Sequence, residues 1–338
     1  MNDFSAASAY RPPVPQQQGT QGNNEQQQAA SGDQAQRPLF APFTVNAFGG
    51  QARFQPIPTL TFTPRAYASL EGSVSPIPGL LSINARKSLQ FDPVIRLSPT
   101  NTGGVNVSFT PRVQLELTGG VRAGLTDILG TKLGVNGGVG LTKVINLSAP
   151  EFSVNVEPKG QVRFGANFNP AIGTEQSLSV DGAADFGVPV AGVGVNQAFT
   201  HTTGQEVQVG GPSAELVLSA GGRPQITTNF DGTISITNNY TFSPRTSVNG
   251  FVQGGPFRAG AEVGVGPTFT LQHRVTLNTD LSKNIAPRHE LSTTLGATAD
   301  ANFYLRASLL PPELPVSLTA EVGFNPRGTV SGGGSFSS

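Results

Sequence analysis

The chain contains no cysteine, which excludes disulfide frameworks, thiolate metal sites and thiol nucleophiles. No run of about 20 apolar residues occurs, so the sequence offers no transmembrane helix. Charge is scarce as well: Asp, Glu, Lys and Arg make up 12% of the chain, whereas a soluble, patch-free surface carries about 25–35%. That deficit calls for an explanation. The 21 basic and 21 acidic residues are spread singly, so no basic stripe exists to neutralise phosphates, and nucleic acid is not an expected partner. Good helix formers are few against 42 glycines and 27 prolines, a balance that favours many short elements separated by turns.

Residues 1–42 hold Pro12, Pro13, Pro15 and two glutamine triplets, Gln16 to Gln18 and Gln26 to Gln28, with almost no branched aliphatics. Such a segment cannot bury enough apolar surface to offset its ordering entropy, and it is predicted to be a disordered Gln/Pro-rich tail. The opening Met1-Asn2-Asp3-Phe4-Ser5 has neither the basic start nor the apolar core of a secretory leader. Export, if it occurs, is expected to use another route.

From Phe43 onward the dominant signal is period two, the spacing at which successive side chains point to opposite faces of a strand. Val105, Val107 and Phe109 alternate with Asn106, Ser108 and Thr110; Val113, Leu115 and Leu117 alternate with Arg112, Gln114 and Glu116. The pattern recurs at Val162 to Phe168, Phe269 to Leu277, Phe303 to Leu309 and Val316 to Phe324. Alternation without intervening helices implies hairpins and an antiparallel sheet. Stretches between turn signals number about 16 to 20, most about 7 to 11 residues long. The expected fold for 43–338 is therefore all-β, a large antiparallel up-and-down β-barrel.

A Phe-x-Pro motif repeats at irregular spacing, at Phe54, Phe62, Phe91, Phe109, Phe168, Phe242 and Phe324, and four copies continue into arginine: Arg65, Arg112, Arg245 and Arg327. Proline removes a ladder donor, so each copy is expected to mark a strand end. Phe62, Phe109, Phe168, Phe242 and Phe324 would then form an interfacial girdle, and the four arginines a pore rim or lumen ring. A recurring turn with its phenylalanine in an ordinary core is the competing reading.

Alternation alone does not say which face meets water. A closed sheet of 16 or more strands would be too wide to fill its own middle, which places polar side chains in a lumen and apolar ones outside. The final alternation of Val330, Gly332, Gly334 and Phe336 resembles that of bacterial outer-membrane β-barrels, whose last strand usually ends in an aromatic residue. The chain departs from that family by ending in Ser337-Ser338, having no tryptophan and having only four tyrosines. Together these features imply a membrane-spanning pore in an outer membrane, with the lipid bilayer and ions or small polar solutes as partners. Two alternatives stand beside it: a secreted effector with an export tail that inserts into a target membrane, and a soluble structural or adhesive β-protein.

No catalytic constellation, cofactor site or metal site is expected. Gly192-Val193-Gly194 and Gly264-Val265-Gly266 precede no helix that could hold a phosphate. No Gly-x-Ser-x-Gly elbow occurs. The carboxylates Glu151 with Glu157 and Asp181 with Asp185 are expected to be solvated loop charges. His201, His273 and His289 are read as isolated, without the spacing of a metal site.

Overall fold

The computed structural model describes residues 43–47, 50–54, 59–77, 80–100, 102–125, 132–148, 150–188, 191–279, 286–310 and 316–337. The tail at 1–42 lies outside them. Eighteen strands follow one another in the described residues: β1 (Phe43–Ala47), β2 (Gly50–Phe54), β3 (Thr59–Ile77), β4 (Leu81–Phe91), β5 (Val94–Pro99), β6 (Val105–Thr110), β7 (Arg112–Leu125), β8 (Lys132–Ser148) and β9 (Glu151–Val156) form the first half. The second half is β10 (Gln161–Asn167), β11 (Ala171–Val188), β12 (Ala191–Val209), β13 (Pro212–Ser219), β14 (Gln225–Phe230), β15 (Thr233–Gly254), β16 (Phe257–Asn278), β17 (Arg288–Ser308) and β18 (Val316–Ser337). All pairings are antiparallel.

Ten of these strands close a barrel, in the order β3-β4-β7-β8-β11-β12-β15-β16-β17-β18 and back to β3. The expectation of 16 to 20 strands in the wall is thereby corrected. The wall strands run to 22 residues, longer than the turn signals implied, because several prolines and glycines break a strand without starting a new one in the wall. Beyond the breaks, β4 and β7 continue as the hairpin β5–β6, β8 and β11 as β9–β10, and β12 and β15 as β13–β14. These three hairpins pair with one another into a six-stranded sheet that projects from one end of the barrel, anchored to β3 through β5. Their tips turn at Gly103, Gly160 and Gly221, each with φ between 74° and 84°, a region open to glycine at no steric cost.

The Phe-x-Pro copies explain the break line. Pro326 stands opposite Pro64, and the registers on either side place Pro64 across from Pro93, and Pro93 across from Pro111. Pro150, Pro170, Gly210-Gly211 and Gly232 carry the line onward between β8 and β9, β10 and β11, β12 and β13, and β14 and β15. A residue without an N–H costs least where the ladder is already interrupted. The expectation that every copy ends a strand holds at Pro93, Pro111 and Pro170. It fails at Pro64, Pro244 and Pro326, where β3, β15 and β18 run on. The copy at Phe54 runs into 55–58, outside the described residues.

The barrel is strongly sheared. A row of partners starting at Val74 passes through Ile83, Val121, Val139, Val180, Phe199 and Pro244. The pairs Phe242–Phe269 and Thr246–Val265 keep one register across Pro244 and Pro267, and the row closes through Ala297 and Val330 on Leu60, fourteen residues down β3 from its start. That stagger over ten strands tilts them by about 45°. Every side chain named in the row is apolar, and the row encircles the outside of the barrel.

Candidate functional site: the barrel interior

Burial is inverted relative to a soluble domain. The buried residues are overwhelmingly polar, while Leu141, Ile172, Val193, Val263, Leu295 and Val322 are more than half exposed. One parity of each wall strand carries Thr, Ser, Asn, Gln and most of the carboxylates and arginines inward; the other carries mainly Val, Leu, Phe and Ala outward. An apolar outer wall of this extent has hydrocarbon as its matching solvent, because inside a bilayer a closed barrel satisfies every backbone group internally.

The outer face also shows where that solvent ends. On β11 the outward positions are apolar from Leu178 to Phe186, and on the described part of β12 from Ala191 to Phe199 with Gln197 the exception, nine residues each. A tilted strand needs about 9–11 residues to span a bilayer. Immediately beyond lies a polar collar. One row of it runs Gln176, Thr203 and Tyr240 across β11, β12 and β15, and the next runs Thr174, Gln205, Asn238 and His273.

The motif phenylalanines Phe62, Phe109, Phe168, Phe242 and Phe324 all face outward, between 38% and 50% exposed. Three of them stand directly across from another phenylalanine, as Phe109–Phe152, Phe242–Phe269 and Phe303–Phe324. The motif arginines all face inward and are buried. Each sits one residue past a proline whose own position faces outward, so the parity of the strand sends the guanidinium to the interior.

Inside, charges are met by opposite charges on neighbouring strands. Arg65 and Arg112 both reach Oδ2 of Asp92, at 3.2 and 2.6 Å, with Asp92 fully buried at the break between β4 and β5. Arg245 donates to Asp300 at 3.1 and 2.8 Å and to Glu262 at 2.5 Å. Gly264 lies beneath that guanidinium, where an added methyl group would collide with it. Farther from the proline line, Glu321 accepts from Arg86, Arg306 and the Tyr67 hydroxyl, which lies against Gly323. Arg122 pairs with Asp181 across β8 at 2.8 Å, so Asp181 is an ion-pair member and not the solvated loop charge expected of it.

Beside these pairs the interior also carries uncharged groups. On β12 and β15 the inward residues include Asn196, Thr200, Thr202, Asn239, Thr241, Ser243 and Ser247, all buried. The hydroxyls of Thr200, Thr202 and Ser243 and the amide oxygens of Asn196 and Asn239 have no protein partner. Buried polar atoms of this kind are ordinarily satisfied by ordered water. The lumen is nevertheless not the wide channel expected from the sequence. Thr200 is 1% exposed and Ser243 0%, because ten strands enclose little more than the space that side chains of about eight-stranded barrels fill.

Beyond the collar, burial pushes the carboxyl of Glu206 above the ordinary carboxylate range, with Arg112 and Arg274 pulling the other way. A carboxyl raised in the folded state favours the protonated form there, so its contribution to stability is fullest below the unfolded pKa and is lost as pH rises through the folded one. Glu206→Gln is expected to flatten that dependence, leaving the barrel less affected than wild type when pH rises from 4 to 8. Urea midpoints in detergent micelles across this range test it, and equal pH slopes for the two proteins would refute it.

His273 and His289 are not isolated. They come together on the outer surface of β16 and β17, while His201 lies two strands away on β12. The interior pairs of Glu262, Asp300, Glu321 and Tyr67 fall in no motif, and Asp92 enters only as the middle residue of the copy at Phe91. Their signal was parity: each falls on the polar side of its strand's alternation or at its break.

No protein-family model matches the chain, and no curated protein matches it. Among solved structures it is similar to the outer membrane protease OmpT from Escherichia coli, at 7% identity and a TM-score of 0.26, covering 84% of this chain and 97% of that one. The translocator domain of autotransporter NalP from Neisseria meningitidis gives 14% identity and 0.25, covering 78% and 87%. The toluene transporter TodX from Pseudomonas putida gives 9% and 0.22, covering 81% and 89%. At these scores the superpositions carry no weight, and the chain's own geometry decides its class. A closed antiparallel barrel, apolar outside and polar inside, has the architecture of outer-membrane β-barrels.

Proposed function

We infer that this chain resides in an outer membrane and passes ions or small polar solutes through the barrel. The supporting observation is the lining of the interior, where paired charges stand beside uncharged groups that have no protein partner. Arg65, Arg112 and Arg245 stand paired with Asp92, Asp300 and Glu262, and beside them the uncharged Asn196, Thr200 and Thr202 of β12 and Asn239 and Ser243 of β15 keep polar atoms without a protein partner. Neutral groups with unpaired donors and acceptors exchange their hydrogen bonds with a moving solute at little cost, while the paired charges beside them set a field that selects what enters. With these side chains filling the bore, passage requires them to move aside, so the open state is intermittent. The outward phenylalanines near the proline line and collar sit at the edge of hydrocarbon in this reading, where aromatic rings anchor a barrel.

Reconstitution into planar bilayers tests the reading. Brief discrete conductance steps are expected, proportional in frequency to the amount of protein inserted. Their absence at several protein concentrations, with insertion verified by protease protection, would remove the pore reading and leave the membrane barrel standing.

A further inference from the structure

We propose that His273 and His289 form a surface site for a divalent transition-metal ion. Nε2 of His273 and Nδ1 of His289 lie 3.3 Å apart, with ring centroids 5.6 Å apart and planes within 11° of parallel. Two imidazole nitrogens each about 2.05 Å from one tetrahedral zinc ion stand about 3.3 Å from each other. The spacing already matches that of two ligands on a common metal.

The scaffold holds this spacing without help from a flexible loop. His273 is opposite Leu291 and His289 is opposite Val275 in the β16–β17 ladder, so the two histidines are diagonal neighbours on the same outward face of a continuous pairing. Ligands on hydrogen-bonded strands lose little freedom when a metal arrives. As the pair stands, one ring nitrogen can donate to the other; when a metal takes the place of that shared proton, the donor ring exchanges tautomer through solvent so that its other nitrogen carries the N–H, both rings stay neutral, and a modest rotation turns both lone pairs toward the metal. Both side chains are accessible, and both lie on the collar side of the apolar band, where aqueous ions reach them.

The donor set defines the ligand class. Imidazole nitrogens suit copper, nickel and zinc, with Cu²⁺ held most tightly in the order of first-row metals. Among the described residues no cluster of three or more His, Cys, Asp or Glu ligands occurs, and the described pair supplies two nitrogens, with further positions open to water. A two-histidine site with open positions is a capture site on the outer face of the barrel, not a structural clamp.

The test uses the full-length chain, free of any histidine tag, in detergent micelles, titrated with Cu²⁺ and followed by electron paramagnetic resonance. One ion per chain with hyperfine structure from two nitrogens is expected, and His273→Ala or His289→Ala should weaken binding by more than about ten-fold. His201→Ala should bind as wild type does. Full-strength binding by the double variant His273→Ala/His289→Ala, loss of binding in His201→Ala alone, or no binding by wild type at millimolar Cu²⁺ would each overturn the proposal. Heat-modifiable migration on gels verifies that each variant is folded, which these exposed positions should permit.

Discussion

Arg245→Ala is expected to destabilise the barrel by about 3–5 kcal/mol, the cost of leaving partners of a buried ion pair without their counter-charge. Arg245 holds Asp300 through two nitrogens and Glu262 through a third, and all three residues are buried. Removing the guanidinium leaves two carboxylates close together where water is scarce, and they must protonate, separate or draw solvent in. The same change should lengthen the conductance steps, because a large side chain has left the bore. Asp300→Asn combined with Glu262→Gln and Arg245→Met should recover much of the lost stability, since replacing a whole buried ion cluster costs less than breaking it. Urea titrations in lipid vesicles give the first result and single-channel recording the second. A loss below about 1 kcal/mol, the value of an exposed pair, would show that the interior is well hydrated at this level.

The second large effect concerns the outer face. Val195 sits in the middle of the nine-residue apolar stretch of β12, and Thr203 lies in the collar. Val195→Arg should cost about 2–4 kcal/mol on folding into vesicles, and Thr203→Arg about 0–1 kcal/mol, because the cost of an outward arginine falls from the bilayer midplane to its edge. Both positions face outward on the same strand, so local strand propensity and packing are closely matched. Equal costs would show that hydrocarbon does not cover the stretch from Ala191 to Phe199, and with it the assignment of the band would fail.

Much of this architecture was legible before any coordinates. Alternation at Val105 to Thr110 and Val113 to Leu117 marked the strands and their two faces, and parity sent Arg65, Arg112, Arg245 and Arg327 to the polar one. The wall count was not legible, because Pro93, Pro111 and Pro170 break strands that the sheet then continues, and one sequence cannot say that they fall in a single row. The histidine pair was hidden for a related reason. His273 and His289 are joined by a connection whose length does not declare the register of β16 on β17, and a slip of two residues would part the rings. Likewise Arg122 meets Asp181 across an intervening strand, a neighbour that spacing along the chain cannot reveal.

By itself, the order of residues determined that the strands alternate, with one greasy and one polar side each, and that these residues include no cysteine and no run apolar and long enough for a transmembrane helix. A side chain's parity is a local property, written in every second position. Which side became the inside was decided only when ten strands closed on themselves. Closure sets the radius; the radius sets whether polar groups must satisfy one another, and thus Asp92, Asp300 and Glu321 found their arginines inside while the valines and phenylalanines were left facing out.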